Sequence, residues 1–193
     1  MKKSLILTLL SLFCFFGTQT LKAQDGFFSN AKTLEQGTFA VGIQPVMLTA
    51  QDDFMFITRG AYGFSNDLTG HAKLGFMDDE IYFGGHFEAN VASEPTSSLS
   101  VALLGGIYTY GDLGLKTGVN ISKDIHPVSL YTGFNYQPLF TDNVTYHALL
   151  VPVGIDIHLN DAPVDLMLEG NIPVNDEAEY LEALTFGARI YLN

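Results

Sequence analysis

The sequence predicts an all-β chain folded as an antiparallel up-and-down transmembrane β-barrel of about ten strands, with eight also compatible. Three observations carry that prediction. From residue 37 onward, stretches of about 9 to 12 residues alternate apolar with small or polar side chains, the period-two signature of a strand with two unlike faces. Turn-forming clusters separate them, among them Ser65-Asn66-Asp67, Asp78-Asp79, Tyr110-Gly111-Asp112, Lys123-Asp124 and Asn160-Asp161-Ala162. Beyond the first two dozen residues, no window carries a helical stripe over three turns or an apolar run long enough to span a bilayer as a helix.

The chain has 193 residues, with 9 Lys+Arg against 21 Asp+Glu, a formal net charge of −12. So acidic a chain has no electrostatic reason to bind nucleic acid. Charged residues are 16% of the total, against roughly 25% in a typical soluble domain. A single cysteine, Cys14, excludes an internal disulfide framework and a Cys-based zinc site. No cofactor is expected.

Residues 1–23 read as a cleavable export signal. Lys2 and Lys3 precede an apolar run from Leu5 to Phe16, and Thr18 to Ala23 then turns polar, with Ala23 as the small residue before the cut. That run spans about 18 Å as a helix, too short for a hydrocarbon core of about 30 Å. Cleavage there removes three lysines and no acid, taking the formal charge from −12 to −15. A short polar segment, 24–36, leads into the barrel domain, 37–193.

Within that domain the expected strands are 37–48, 54–64, 68–77, 81–91, 98–110, 113–122, 127–137, 144–159, 163–172 and 183–193. The first and the fifth are apolar on both faces. Pro45 and Pro152 each remove a ladder donor from the strand they occupy. In the second strand Phe54, Phe56, Tyr62 and Phe64 share one face and Arg59 takes the other. Leu68, Ala72, Leu74 and Phe76 oppose His71 and Lys73; Ile81, Phe83, Phe87, Ala89 and Val91 oppose Tyr82, His86, Glu88 and Asn90. Leu113, Leu115, Val119 and Ile121 oppose Lys116 and Asn120; Val128, Leu130, Phe134 and Tyr136 oppose Tyr131, Asn135 and Gln137. Val151 to Leu159 sets Asp156 and His158 against its apolar face, and Val164 to Ile172 sets Asp165, Glu169 and Asn171. In the last strand Leu184, Phe186, Ala188, Ile190 and Leu192 oppose Arg189 and Tyr191.

No Lys, Arg, Asp or Glu in a strand core falls on the apolar face, as a lipid-facing surface demands. The opposite face has only one or two charges per strand, fewer than a solvated exterior would carry. A water-soluble periplasmic barrel binding a small ligand is therefore the alternative, not the preferred reading.

The hairpin Ala61-Tyr62-Gly63-Phe64-Ser65-Asn66-Asp67-Leu68-Thr69, with Val151-Pro152-Val153-Gly154-Ile155-Asp156-Ile157-His158 and Val164-Asp165-Leu166-Met167-Leu168-Glu169-Gly170-Asn171, resembles the small single-chain outer-membrane β-barrels of Gram-negative bacteria. The resemblance covers nearly all of the chain after the signal, as a pattern rather than a functional motif. It implies an outer-membrane location, a periplasmic segment at 24–36, and outer-membrane lipid and the outer-membrane assembly machinery as partners. It also implies termini facing the periplasm, so that connections from odd to even strands face outward.

If the polar face is the lumen, Arg59, Lys73, Lys116 and Arg189 meet Glu88, Asp156, Asp165 and Glu169 there, four cations against four acids, with His71, His86 and His158 as adjustable members. A barrel of this size leaves little interior beyond its own side chains, so a filled, neutral lumen is expected, in a structural or accessory envelope role. A narrow channel or uptake path for a small solute is the alternative. Across the 78–80 turn, His71 faces His86 or Glu88 with Lys73 and Arg59 beside them; those cations argue against a metal. The outward rim gathers Asp52, Asp53, Asp78, Asp79, Glu80, Asp112, Asp142, Asp176, Glu177, Glu179 and Glu182 with no Lys or Arg, an arrangement that attracts divalent cations weakly. No hydrolase or metalloprotease motif occurs. An outer-rim enzyme would draw on His147 with Asp142, helped by Asp78 or Asp79, and no enzymatic role is expected.

Overall fold

The computed structural model describes residues 30–77, 80–93, 97–159 and 162–192. The expected signal at 1–23, the first residues of the 24–36 segment, Asp78, Asp79 and the side chain of Glu80 lie outside the described residues. Ten strands follow in order: β1 Phe39–Leu48, β2 Asp53–Ser65, β3 Leu68–Met77, β4 Glu80–Ala92, β5 Ser100–Tyr110, β6 Asp112–Ile125, β7 Val128–Phe140, β8 Thr145–Leu159, β9 Val164–Pro173 and β10 Ala183–Leu192. A 3-10 helix, Asp176–Leu181, joins the last two. Each strand pairs antiparallel with its sequence neighbours, and β1 pairs with β10 from Phe39↔Leu192 to Leu48↔Ala183. Closure therefore takes ten strands and not eight, and leaves no sheet edge.

Side-chain parity puts hydrocarbon outside. Phe83, Phe87, Leu103, Ile107, Leu113 and Phe186 are each more than half exposed. Arg59, Lys73, Glu88, Lys116, Asp156, Asp165, Glu169 and Arg189 point the other way and are each less than a tenth exposed. The two strands apolar on both faces obey the same rule: Phe39, Ile43 and Met47 face out while Ala40, Val46 and Leu48 face in, and Leu103 and Ile107 oppose Leu104 and Tyr108.

The interior is layered. Towards the odd-to-even turns Val46, Leu48, Met55, Ile57, Met77, Tyr82, Tyr108, Leu139 and Ala183 pack as one apolar cluster inside the barrel, which the sequence reading does not anticipate. Parity gives the face a residue occupies, not its depth along the axis. Inward tyrosines are accommodated by glycine on the facing strand. Tyr108 pairs with Gly114 and Tyr131 with Gly154; a Cβ on either glycine would fall 2.2 Å from the ring.

The two prolines stay within their strands. Pro45 lies in β1 and Pro152 in β8, where each interrupts one ladder without changing its register. A threonine of the neighbouring strand donates to each carbonyl, Thr185 to Pro45 and Thr132 to Pro152, both at 2.9 Å.

Both mouths are covered. At the end with the odd-to-even turns the 3-10 helix buries Ala178 and Leu181 against Ala148 and Leu150. At the end holding the termini, the segment 30–36 folds over the mouth, with Asn30, Ala31 and Leu34 reaching inward. Asn30 and Ala31 are buried, Leu34 N–H donates to Thr69 Oγ1 at 2.7 Å, and Asn90 donates to Ala31 O at 2.9 Å. The chain then crosses Gly63 so closely that a Cβ there would lie 2.2 Å from Glu35 O.

A cation on the outer face tests this arrangement. Leu103→Arg, about midway along β5, is expected to lower unfolding free energy in lipid by about 2–4 kcal/mol; urea titration in bilayers measures it, and an unchanged midpoint would place that face in water.

Candidate functional site

The register assembles the lumen charges into a belt. Lys73 pairs with Arg59, Arg59 with Gly42, Gly42 with Arg189, Arg189 with Asp165 and Asp165 with His158, across six consecutive strands. Gly42 is the spacer that separates the two arginines. Two polar clusters grow from this belt.

The first lies on β2 to β4 and β6. His71 and His86 are direct cross-strand partners, their rings stacked with centroids 4.4 Å apart. Arg59 Nη2 is 2.9 Å from His71 Nδ1. Arginine has only donors, so Nδ1 accepts and the ring hydrogen sits on Nε2, which lies 3.3 Å from Glu88 Oε2. Asn120 lies against the other oxygen of Glu88 at 3.5 Å. His71, His86 and Glu88 are near enough to hold a metal ion, but Arg59 takes one His71 nitrogen and the hydrogen occupies the other. A ligand with no free lone pair cannot coordinate.

The second cluster lies at the mouth that holds the termini. Arg189 Nη2 bridges Asp156 Oδ2 at 2.9 Å and Asp165 Oδ2 at 2.7 Å. Its guanidinium also lies 5.2 Å from the centre of the Tyr191 ring, and the Tyr191 hydroxyl donates to Asp165. Asn30 donates to Asp156 at 3.0 Å. His158 Nδ1 lies 2.8 Å from Asp165 Oδ1 and its Nε2 lies 2.9 Å from Ser129 Oγ. Ser129 also hydrogen-bonds Asp124, whose second oxygen is paired with Lys32. Asp156, His158 and Asp165 form a second potential ligand triplet, and here Arg189 already stands between the two carboxylates.

Of the eleven lumen residues read from the sequence, Arg59, His71, His86 and Glu88 meet in the first cluster and Asp156, His158, Asp165 and Arg189 in the second. Lys73, Lys116 and Glu169 are buried in the same interior. Asn30, Lys32, Asp124, Ser129 and Tyr191 escaped the sequence reading as site residues. The one signal that could have found Ser129 and Asp124 is the hairpin register around Pro127, which sets them opposite each other.

The described acids of the odd-to-even connections do not gather. No three of Asp52, Asp53, Asp112, Asp142, Asp176, Glu177, Glu179 and Glu182 approach as metal ligands among the described residues. Asp53 caps its own strand by accepting from Phe54 N–H at 2.7 Å, and Glu177 accepts from His147 N–H. The His147 ring meets the Tyr136 hydroxyl at 2.6 Å rather than Asp142. On the 3-10 helix, burial pushes the Tyr180 hydroxyl pKa up to about 12, with Tyr146 and Glu177 adding to the shift.

No protein-family model matches the sequence, and no curated protein matches it. Solved structures similar to the chain include a de novo designed transmembrane β-barrel, at 14% identity over 83% of this chain and 99% of that one, with a TM-score of 0.42. The N-terminal β-barrel domain of Pseudomonas aeruginosa OprF aligns at 9% identity over 82% of this chain and all 100% of that one, TM-score 0.41. The translocator domain of the autotransporter NalP from Neisseria meningitidis aligns at 9% identity over 99% of this chain and 93% of that one, TM-score 0.38. Scores this low carry no argument about role; barrel closure here rests on the strand register.

Removing one partner from the second cluster separates a paired charge from a merely buried polar group. Arg189→Met leaves Asp156 and Asp165 without their shared cation and is expected to destabilise by about 3–5 kcal/mol. Gln137 is fully buried and its two amide atoms lack partners among the described residues, so Gln137→Leu is expected to be neutral or stabilising. Parallel unfolding titrations measure the contrast.

Proposed function

We propose that this chain is an integral outer-membrane β-barrel with a sealed interior, serving the envelope in a structural or accessory role. The observation that carries the reading is the inverted distribution of side chains. Large apolar groups cover the outside while eight full charges are buried inside. A soluble protein would lose hydrophobic stabilisation through that exterior and pay desolvation for that interior. In a bilayer the exterior contacts hydrocarbon, and the charges lie where partners were built for them.

Sealing is supported at three levels along the axis. Residues 30–36 occupy the mouth on the terminal side, the paired charges fill the middle, and the apolar cluster with the 3-10 helix fills the far end. A hydrated ion would have to displace an apolar layer as well as a charged one. Outer-membrane lipid is the partner that the outer surface fits, and the acidic outward rim repels anionic surfaces in front of it.

Purified protein reconstituted in planar bilayers is expected to pass no current above the lipid background. On SDS gels, unboiled samples are expected to migrate apart from boiled ones. Steady unitary currents would replace the sealed barrel with a narrow solute path. Identical migration, together with extraction in buffer without detergent, would remove the membrane assignment.

A further inference from the structure

We propose that a hollow in the outer wall over β2 to β4 seats one acyl chain of a phospholipid with an ammonium headgroup, drawn from the leaflet at the terminal mouth. The inference rests on the reading of that wall as lipid-facing and adds a defined site to it. Gly60 pairs with Ala72 and Ala72 with Gly85, outward positions in one row across three strands. Val41 continues the row on one side and Ile107 on the other. Two adjoining hollows, of about 510 and 570 Å3, share Gly60, Ala72 and Phe83. Arg59, His71, Lys73 and His86 also border them, but these side chains point into the barrel. The Thr58 hydroxyl donates to Leu74 O at 3.1 Å. Apart from the Tyr62 hydroxyl at its terminal end, the seat is therefore apolar.

Its dimensions fit one chain of one leaflet. Tyr62, Phe64 and Phe87 flank the terminal end: Tyr62 meets Phe64 edge-on at 5.1 Å, and Phe64 reaches Phe87 at 5.9 Å. The last two rings lie over Gly70, where a Cβ would fall 2.7 Å from Phe64. Aromatic girdles of this kind mark the headgroup level of a barrel. Leu74 and Phe83 close the other end. The strand from Phe64 to Thr58, the partner of Leu74, covers about 20 Å, or about 15 Å of depth at a barrel tilt of roughly 40°. That is half of a hydrocarbon core of about 30 Å. A loose chain and a seated one are both out of water, so the gain is packing against a concave wall. A second barrel would present a convex wall. It would rest on Phe83 and Phe87, each more than half exposed, and leave the floor empty.

Beyond the aromatic rings the surface is acidic. Glu35 and Asp67 are both exposed. The segment that carries Glu35 is held beside the 65–67 turn, where Asn66 Oδ1 accepts from Gln36 N–H at 3.1 Å. Lys32, the nearest cation in sequence, is turned to Asp124. Two carboxylates with no cation of their own among the described residues favour an ammonium at the headgroup level and repel a headgroup of net negative charge.

The test uses the full chain folded in detergent, supplied with equal amounts of phosphatidylethanolamine and phosphatidylglycerol of the same acyl chains, with retained lipid read by native mass spectrometry. One retained phosphatidylethanolamine per chain is expected, favoured over phosphatidylglycerol by about two- to fivefold. Gly60→Leu and Ala72→Phe each fill the floor from outside and are expected to lower retention about tenfold. A Cβ at Gly60 meets only the Phe39 ring, at 3.7 Å, so the first variant adds no strain. Gly105→Leu adds bulk to the same face outside the hollow, with open space around its Cβ, and is expected to keep the lipid. Glu35→Gln combined with Asp67→Asn is expected to keep one lipid and erase the preference. Equal retention in the parent and both floor variants overturns the proposal, as does a parent with no preference for phosphatidylethanolamine. A lipid-free dimer that Ala72→Phe dissociates also overturns it and gives the hollow to a second copy. Boiled and unboiled gel migration, measured on every sample, reads the membrane barrel separately, so loss of the lipid site and loss of the membrane reading are told apart.

Discussion

Arg189 bridging Asp156 and Asp165 is the interaction on which the rest of the interior depends. The three residues stand on β10, β8 and β9, and β10 is also the strand that closes the barrel against β1. A barrel with hydrocarbon outside has no solvent-facing wall on which to place a charge, so each ionised group must find its counter-ion inside. Breaking such a pair leaves an uncompensated charge, a penalty of several kcal/mol. The pairing therefore discriminates between registers: a slip of one residue at the β9–β10 interface would turn Arg189 outward and leave both carboxylates alone. Closure and neutralisation are one requirement.

The belt explains what surrounds it. With Arg59 and Arg189 flanking Gly42 on the seam, two guanidinium groups share one stretch of interior, and each is aimed away from the other. Arg59 turns towards His71 and Glu88, Arg189 towards Asp156 and Asp165. The remaining space is closed by geometry more than charge. Tyr108 and Tyr131 lie across glycines of the facing strands, which lets a large ring fill the centre without moving the backbone. Apart from the hydroxyls of Tyr82 and Tyr108, the apolar layer needs no polar partner, which is why it can sit where the lumen is farthest from the terminal segment.

Much of this was legible in the sequence, and the part that was not has a physical reason. The alternation of Phe83 with Tyr82 and Gly84, or of Leu166 with Asp165 and Met167, gives the face of each residue directly. Hence the charged lumen residues could be named without coordinates. The tight turn expected near Asp78 put His71 opposite His86 or Glu88, and the register takes His86. Depth along the axis did not follow, because parity has no term for it, so the apolar layer that holds Met55 and Ile57 could not be read. Residues 30–36 have no periodicity to read, and their place is set by partners on distant strands: Thr69 for Leu34, Asn90 for Ala31 and Asp156 for Asn30. Proline was misleading in the other direction. A missing donor at Pro45 or Pro152 is tolerable in a closed barrel, because the carbonyl still accepts from Thr185 or Thr132.

The cluster at the terminal mouth follows from the same accounting. Asp165 has more acceptor capacity than Arg189 alone can fill, and its cross-strand neighbour in β8 is His158. An imidazole that gives one nitrogen to a carboxylate must direct the other away from it. Two residues along β8 from His158, Asp156 pairs with Ser129 in β7, so the second nitrogen meets that hydroxyl on the diagonal, within reach across a sheet. A chain of carboxylate, imidazole and hydroxyl that ends on Asp124 is therefore a direct consequence of satisfying one buried carboxylate in an antiparallel register.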